Sequence, residues 1–212
     1  MSGPRAENPF TAGETNRHEA LADGVFSIVM TLLVFEIMPP KDRPDLDVGR
    51  MLLGLWPSFL AFAISVGLVG IFWTAHRSQF RVIRRSDHGL NWLNLLFLAA
   101  VSLLPFSTRL VAGRHGEPPA LAVYGANLSL IGLTLLAVWH HATAGRRLVD
   151  EGLPESAVRY GYSRCLVGAC GYALGAALAF VSPPLALSVF AGVPMLYILP
   201  AWQRAWLRRY GL

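Results

Sequence analysis

Two acidic residues, Asp23 and Glu36, bracket 12 uncharged residues, Gly24 to Phe35. An ionisable side chain within an apolar segment is costly, and where it occurs it marks an ion path, a proton relay or a buried pair. Between the two acids, Gly24, Ile28, Thr31, Leu32 and Phe35 recur at spacings of three and four. At about 100° per residue these five share one arc of about 100°, with Asp23 about 140° and Glu36 about 80° from Ile28. The stripe is apolar with a single hydroxyl. It can pack against neighbouring helices in a bundle. Alternatively it can line a pore and close it by constriction and dewetting. One helix cannot enclose a pore, so the second role requires a symmetric oligomer.

The rest of the chain must position that stripe in a bilayer. Of 212 residues, 54% are hydrophobic and 15% charged, and the mean hydropathy is +0.45. A soluble domain of this size needs more charge to coat its surface, about 25%. The Trp and Phe content excludes disorder, and two cysteines exclude a disulfide scaffold. Charge-free runs at Met51–Ala75, Gly89–Thr108 and Pro118–Trp139 are each long enough for the roughly 20 residues a crossing helix needs. Cys165–Gln203 is too long for one helix, and Ser182-Pro183-Pro184 divides it. The stretch Ala20–Met38, ended by Pro39-Pro40, completes an all-α, polytopic membrane protein. Six transmembrane helices are expected at about 18–38, 50–75, 89–111, 118–143, 158–182 and 184–207, as one domain, 17–212, after an N-terminal tail, 1–16. The first span has too few uncharged residues to face lipid alone and is expected to be the innermost. The polar tail and Asp23 argue against a cleaved signal peptide.

Thirteen of the eighteen basic residues fall on the side holding both termini, the 76–88 loop and the 144–164 segment. The positive-inside rule places that side in the cytoplasm. These arginines flank spans, so they read as a topology signal and not as a nucleic-acid footprint. Trp56, Trp73, Trp92, Trp139, Tyr160, Tyr162, Trp202 and Trp206 fit interfacial belts. Cys165 and Cys170 point about 140° apart on a helix and are expected to stay unpaired. No phosphate loop, Gly-x-Ser-x-Gly or His-Glu-x-x-His is present, so an enzyme is not expected and no cofactor or metal is called for. Arg does not recur every third residue in any span, and no Thr-Val-Gly-Tyr-Gly filter exists. A proton-coupled transporter using Asp23, Glu36 and His76 is the main alternative, although no inverted repeat is visible. A haem or redox subunit using His76, His140 or His141 is a third reading.

Arg17-His-Glu-Ala-Leu21-Ala22-Asp23-Gly24-Val-Phe-Ser-Ile28-Val-Met-Thr31-Leu32-Leu-Val-Phe35-Glu36 resembles the first-helix signature of the endolysosomal transmembrane potassium channel family, in its bacterial single-repeat branch. Trp73-Thr-Ala-His76, Asn91-Trp-Leu-Asn94, Leu104-Pro105-Phe106-Ser-Thr108 and Ala122-Val-Tyr124-Gly125 are similar to later family motifs, in the same order. Leu21-Ala22 stands where the family has Phe-Ser, and Phe35 is bulkier than the usual aliphatic residue. The resemblance implies a homotetramer in the plasma membrane, with the first helix of each subunit lining a central pore. It implies K⁺ as the permeant ion and no carbonyl filter. Ile28 maps to the hydrophobic constriction, Thr31 to a hydroxyl layer, and Leu32 and Phe35 to further pore positions. Glu36 would sit at the outer mouth or pair with Arg50 or Arg109. Arg17, Asp23, Trp73, His76 and Asn94 would anchor the first helix in a polar network.

Overall fold

The computed structural model describes residues 15–37, 47–114, 116–150, 152–199, 207–209 and 211. Helix α1 runs Asn16–Leu32 and tightens into a 3-10 turn over Leu33–Glu36. It is followed by α2 (Val48–Gly54), α3 (Trp56–Phe80), α4 (His88–Ser102), α5 (Leu104–Gly113), α6 (Pro118–Thr143), α7 (Glu155–Leu178) and α8 (Pro183–Ile198). The paired prolines 118–119 and 183–184 open α6 and α8, where a missing N–H leaves no bond unmade. Asp47 caps α2, and Asp87 caps α4 by accepting from the Leu90 amide at 2.8 Å.

Several boundaries differ from the sequence expectation. The second span does not run unbroken from residue 50. Leu55 interrupts it just before Pro57, leaving α2 separate, and α3 continues past Ala75 to Phe80. The third span breaks at Leu103, because Pro105 has no N–H to continue the ladder, so α4 and α5 are distinct. Helix α7 begins at Glu155 and ends at Leu178. Residues 200–206, Met38-Pro39-Pro40 and the chain before Thr15 lie outside the described residues.

Four segments, Asn16–Glu36, Trp56–Phe80, His88–Gly113 and Pro118–Arg146, are long and apolar enough to cross a membrane. The other two expected crossings are weaker by those criteria. Helix α7 carries Glu155, Arg159 and Arg164 in its first half. The 16 residues of α8 rise only about 24 Å.

Helix α6 forms the centre, touching α3, α4, α5, α7 and α8. The α6–α7 seam is close because small residues face each other. A Cβ on Gly132 would lie 3.0 Å from the Cβ and 3.1 Å from the Cα of Ala169. One turn away, the Ser129 hydroxyl donates to the Ala169 carbonyl at 3.0 Å. In lipid, where apolar burial between helices gains little, such backbone approach and hydrogen bonding hold helices together. Trp139 belongs to this seam and not to an interfacial belt: it is buried and its indole donates to the Val158 carbonyl at 3.1 Å. Trp202 and Trp206 are outside the described residues.

Helix α1 is not the innermost helix of the protomer. It lies at the edge, where Ala22, Phe26, Val29 and Leu33 pack into the core beside Phe72 and Phe97, with Val25 half-buried next to them and the opposite face exposed. A second core, of Phe80, Ile83, Leu90, Val138, Ala142, Leu148 and Val149, closes the Arg-rich end. There Ile83 and Val149 form an antiparallel bridge that ties the 81–87 loop to the 147–153 loop.

Two measurements test this packing. Gly132→Val forces α6 and α7 apart and is expected to cost about 1–3 kcal/mol, read as a lower Tm of the detergent-solubilised protein. Gly192→Val, with open space around its Cβ, serves as the reference. The second concerns Asp87. Burial opposes its ionisation, but the Leu90 amide, His141 and the Arg147 charge together hold its carboxyl below the ordinary value of 3.8. A carboxylate lowered on folding stabilises at pH above its unfolded value and loses that contribution as pH falls through the folded one. Asp87→Asn is expected to flatten the Tm-against-pH curve below about pH 4, and an unchanged acid slope would show that Asp87 does not supply it.

Candidate functional site

The stripe on α1 lies opposite the helix's buried side. Ile28 and Phe35 are 59% and 63% exposed, and Gly24, Thr31 and Leu32 are exposed with them. Leu21 shares the arc, within about 20° of Ile28, and is exposed too. Its place on the wheel was a signal available in the sequence. The Thr31 hydroxyl donates to the Ile28 carbonyl at 2.8 Å. Its hydrogen is thus spent on the helix, while the oxygen lone pairs remain available outward. Ser27 likewise donates to the Asp23 carbonyl at 2.7 Å.

Two separate polar contacts fix α1 to its neighbours. The Trp73 indole donates to Asp23 Oδ1 at 2.7 Å, with the Arg77 guanidinium 5.4 Å from the Trp73 ring. The second contact begins at His76, only 1% exposed, which stacks between Phe80 at 4.3 Å and Phe97 at 5.2 Å. Its Nε2 lies 2.9 Å from Asn94 Oδ1. Asn94 Nδ2 is 3.4 Å from His18 Nδ1, and His18 Nε2 is 2.8 Å from Ser86 Oγ. Ser86 in turn donates to Asn91 at 2.8 Å. One assignment satisfies the whole chain: each ring carries its proton on Nε2, His76 donating to Asn94 and His18 to Ser86.

Of the five residues expected in one network, Asp23 and Trp73 meet, and His76 and Asn94 meet. Arg17 joins neither. It is exposed and makes no hydrogen bond or ion pair among the described residues. Its neighbour His18 carries the link, for a geometric reason. The buried stripe 22, 26, 29, 33 extends back four residues to position 18, whereas 17 points away. That periodicity is the signal the sequence reading missed. At Ala22, where the resemblance expects a serine hydroxyl, the methyl group is buried in the core.

Glu36 pairs with Arg109, at 3.6 Å between Oε2 and Nε, and not with Arg50. Its side chain is only 11% exposed, with the carboxylate turned toward α5. Behind α1, Ser65 joins Thr108 at 2.8 Å and Tyr124 at 3.0 Å, linking α3, α5 and α6.

His140 and His141 are engaged singly. His140 meets the Tyr162 hydroxyl at 2.9 Å, and His141 meets Asp87 at 2.8 Å. Among the described residues no cluster of His, Cys, Asp or Glu is disposed to hold a metal. Cys165 and Cys170 are both free, one buried and one exposed.

Comparison with known proteins gives a consistent result. A profile of the family described as endosomal/lysosomal potassium channel TMEM175 matches residues 17–105. A potassium channel of Streptomyces collinus is 35% identical over 188 residues, covering 87% of this chain and 91% of that one. A potassium channel of Chamaesiphon minutus is 35% identical over 181 residues, covering 83% and 89%. The crystal structure of a lysosomal potassium-selective channel TMEM175 homolog from Chamaesiphon minutus superposes with a TM-score of 0.76 at 29% identity, covering 93% of this chain and 98% of that one. The chain belongs to the TMEM175 channel family.

Proposed function

We propose that four copies of this chain assemble around α1 to form a potassium-selective cation channel without a carbonyl filter, closed by a hydrophobic constriction. The carrying observation is the two-sidedness of α1. Ala22, Phe26, Val29 and Leu33 are buried in the protomer, while Ile28, Leu32 and Phe35 are left bare beside Gly24 and Thr31. Gly24 and Thr31 interrupt an otherwise aliphatic and aromatic face. A four-fold axis along this face would bring four Ile28 side chains together as an apolar ring that sheds water when narrow. Four Thr31 oxygens, their protons already committed, would replace part of a cation's hydration shell. That exchange favours K⁺, which gives up its water more cheaply than Na⁺. Leu32 and Phe35 would continue the wall toward the far end. Asp23, Trp73, His76, Asn94 and His18 hold the helix in register behind it.

All six helical segments then cross the bilayer, α4 with α5 as one of them, in a plasma membrane with both termini cytoplasmic. The Arg-rich loops carry that orientation. Glu36 acts chiefly as the partner of Arg109, steadying the far end of α1 against α5. The transporter reading has less support, because the groups it needs are dispersed. Asp23 is taken by Trp73, Glu36 by Arg109, and His76 is sealed between two phenyl rings.

Bilayer recording of the purified protein under a K⁺/Na⁺ gradient tests the proposal. A reversal potential near the K⁺ equilibrium value is expected, and one showing no cation preference refutes the selectivity. Ile28→Asn wets the constriction and is expected to raise basal current about tenfold or more, since the change removes an apolar barrier from all four subunits at once. An unchanged current would remove Ile28 from the gate. Thr31→Val keeps the shape and deletes the oxygens. It is expected to lower K⁺-over-Na⁺ permeability while leaving the closed-state leak in place, and an unaltered permeability ratio would take Thr31 out of the ion path.

A further inference from the structure

The Arg-rich end holds a cavity of about 480 Å³ lined by Arg84, Arg85, Arg146, Arg147, Val149, Asp150 and Gly152. That volume lies within the range of small-molecule clefts. Two loops build it, and backbone bonds tie them together. The Arg84 amide donates to the Leu148 carbonyl at 2.8 Å, and the Asp150 amide to the Val82 carbonyl at 3.3 Å. Ile83, Leu148 and Val149 are buried beneath, so the arginines stand on a rigid floor.

The charges divide into two kinds. Arg84 is ion-paired with Asp150 at 3.0 Å. Arg146 bonds the Leu153 carbonyl at 2.9 Å and Glu155 at 3.0 Å. Its backbone is left-handed, with φ of 54°, a strained conformation for a residue with a side chain. It acts as a strut across the loop. Arg85 and Arg147 line the same cavity and make no ion pair among the described residues. Asp87 lies within electrostatic range of Arg147, but its carboxylate is already engaged by the Leu90 amide and His141. Two arginines lining a polar cavity suit an oxyanion, which a guanidinium binds in a bidentate fork. The position decides which oxyanion. The loops lie where α3 and α6 end and α4 and α7 begin, so the proposed crossing of those helices puts them at headgroup depth. Basic pockets between crossing helices on the cytoplasmic side are suited to anionic headgroups.

We propose that the Arg85–Arg147 pocket binds the phosphate of an anionic phospholipid of the cytoplasmic leaflet. Arg85 and Arg147 grip the phosphate, while Arg84 and Arg146, held by their carboxylates, shape the rim. One residue beyond Arg85, Ser86 contacts His18 of α1, so the bound headgroup lies one residue from the anchor of the proposed pore helix. The assignment rests on the orientation proposed above, but lipid retention is read without current, so a silent channel would not decide it.

The test is native mass spectrometry of the purified oligomer titrated with phosphatidylglycerol or phosphatidylcholine of the same acyl chains. Preferential retention of phosphatidylglycerol is expected, and Arg85→Gln/Arg147→Gln is expected to weaken it about tenfold. Arg114→Ala, an exposed charge at the opposite end, should leave retention unchanged. The same spectra report the oligomer's mass, and each single variant, expected to weaken retention about threefold, stands in if the double variant fails to assemble. Equal retention of the two lipids, or undiminished phosphatidylglycerol retention in the Gln variants, overturns the proposal. So does displacement of phosphatidylglycerol by millimolar inorganic phosphate, which would make the ligand a free anion.

Discussion

A buried imidazole sets the position of the first helix. His76 is shut between Phe80 and Phe97, where an unpartnered polar nitrogen would cost on the order of 1–3 kcal/mol. Its partner is Asn94 on α4, and the second end of that amide reaches His18 on α1. Three helices are therefore tied to one register by a single chain of directional bonds. Shifting α1 by one residue would break the bond to His18 and turn the 22, 26, 29, 33 stripe out of the core. The exposed face is then placed by default, opposite the face the network requires.

The rest of the protomer is packed by a different device. Around α6 and α7 the helices approach until glycine meets alanine backbone, and short hydroxyl bonds lock them. That half is closely packed. Helix α1, by contrast, is held along one side only, through a few aromatic contacts and two polar anchors. Its bare apolar surface, interrupted by Gly24 and Thr31, is the face on which the proposed assembly rests.

Charge is used sparingly and mostly at the ends. Asp23 and Glu36, the two acids that bracket the stripe, are both engaged away from it, by Trp73 and Arg109. The stripe itself carries no charge. An apolar wall with a hydroxyl layer can regulate ion passage through hydration alone, which a fixed carboxylate beside it would defeat by holding water in place. At the Arg-rich end, the loops between spans are themselves structured by a backbone bridge and a small core.

The sequence by itself determined the class, the α1 stripe and the motifs of the family. These depend on composition, helical periodicity and local spacing, which a linear chain displays directly. Helical spacing also sets His140 and His141 about 100° apart, and they meet different neighbours, Tyr162 and Asp87. Only the tertiary structure decided which acids were partnered, that His18 and not Arg17 completes the network, and that Trp139 lies in a helix seam. It also decided that the first helix sits at the protomer's edge. The physical reason is common to these cases. Hydrogen bonds, ion pairs and burial depend on which residues from distant parts of the chain arrive within about 3–4 Å of one another. The shortness of the charge-free stretch between Asp23 and Glu36 suggested enclosure, and the chain's own core does not supply it: Ile28 and Phe35 stay exposed in the protomer.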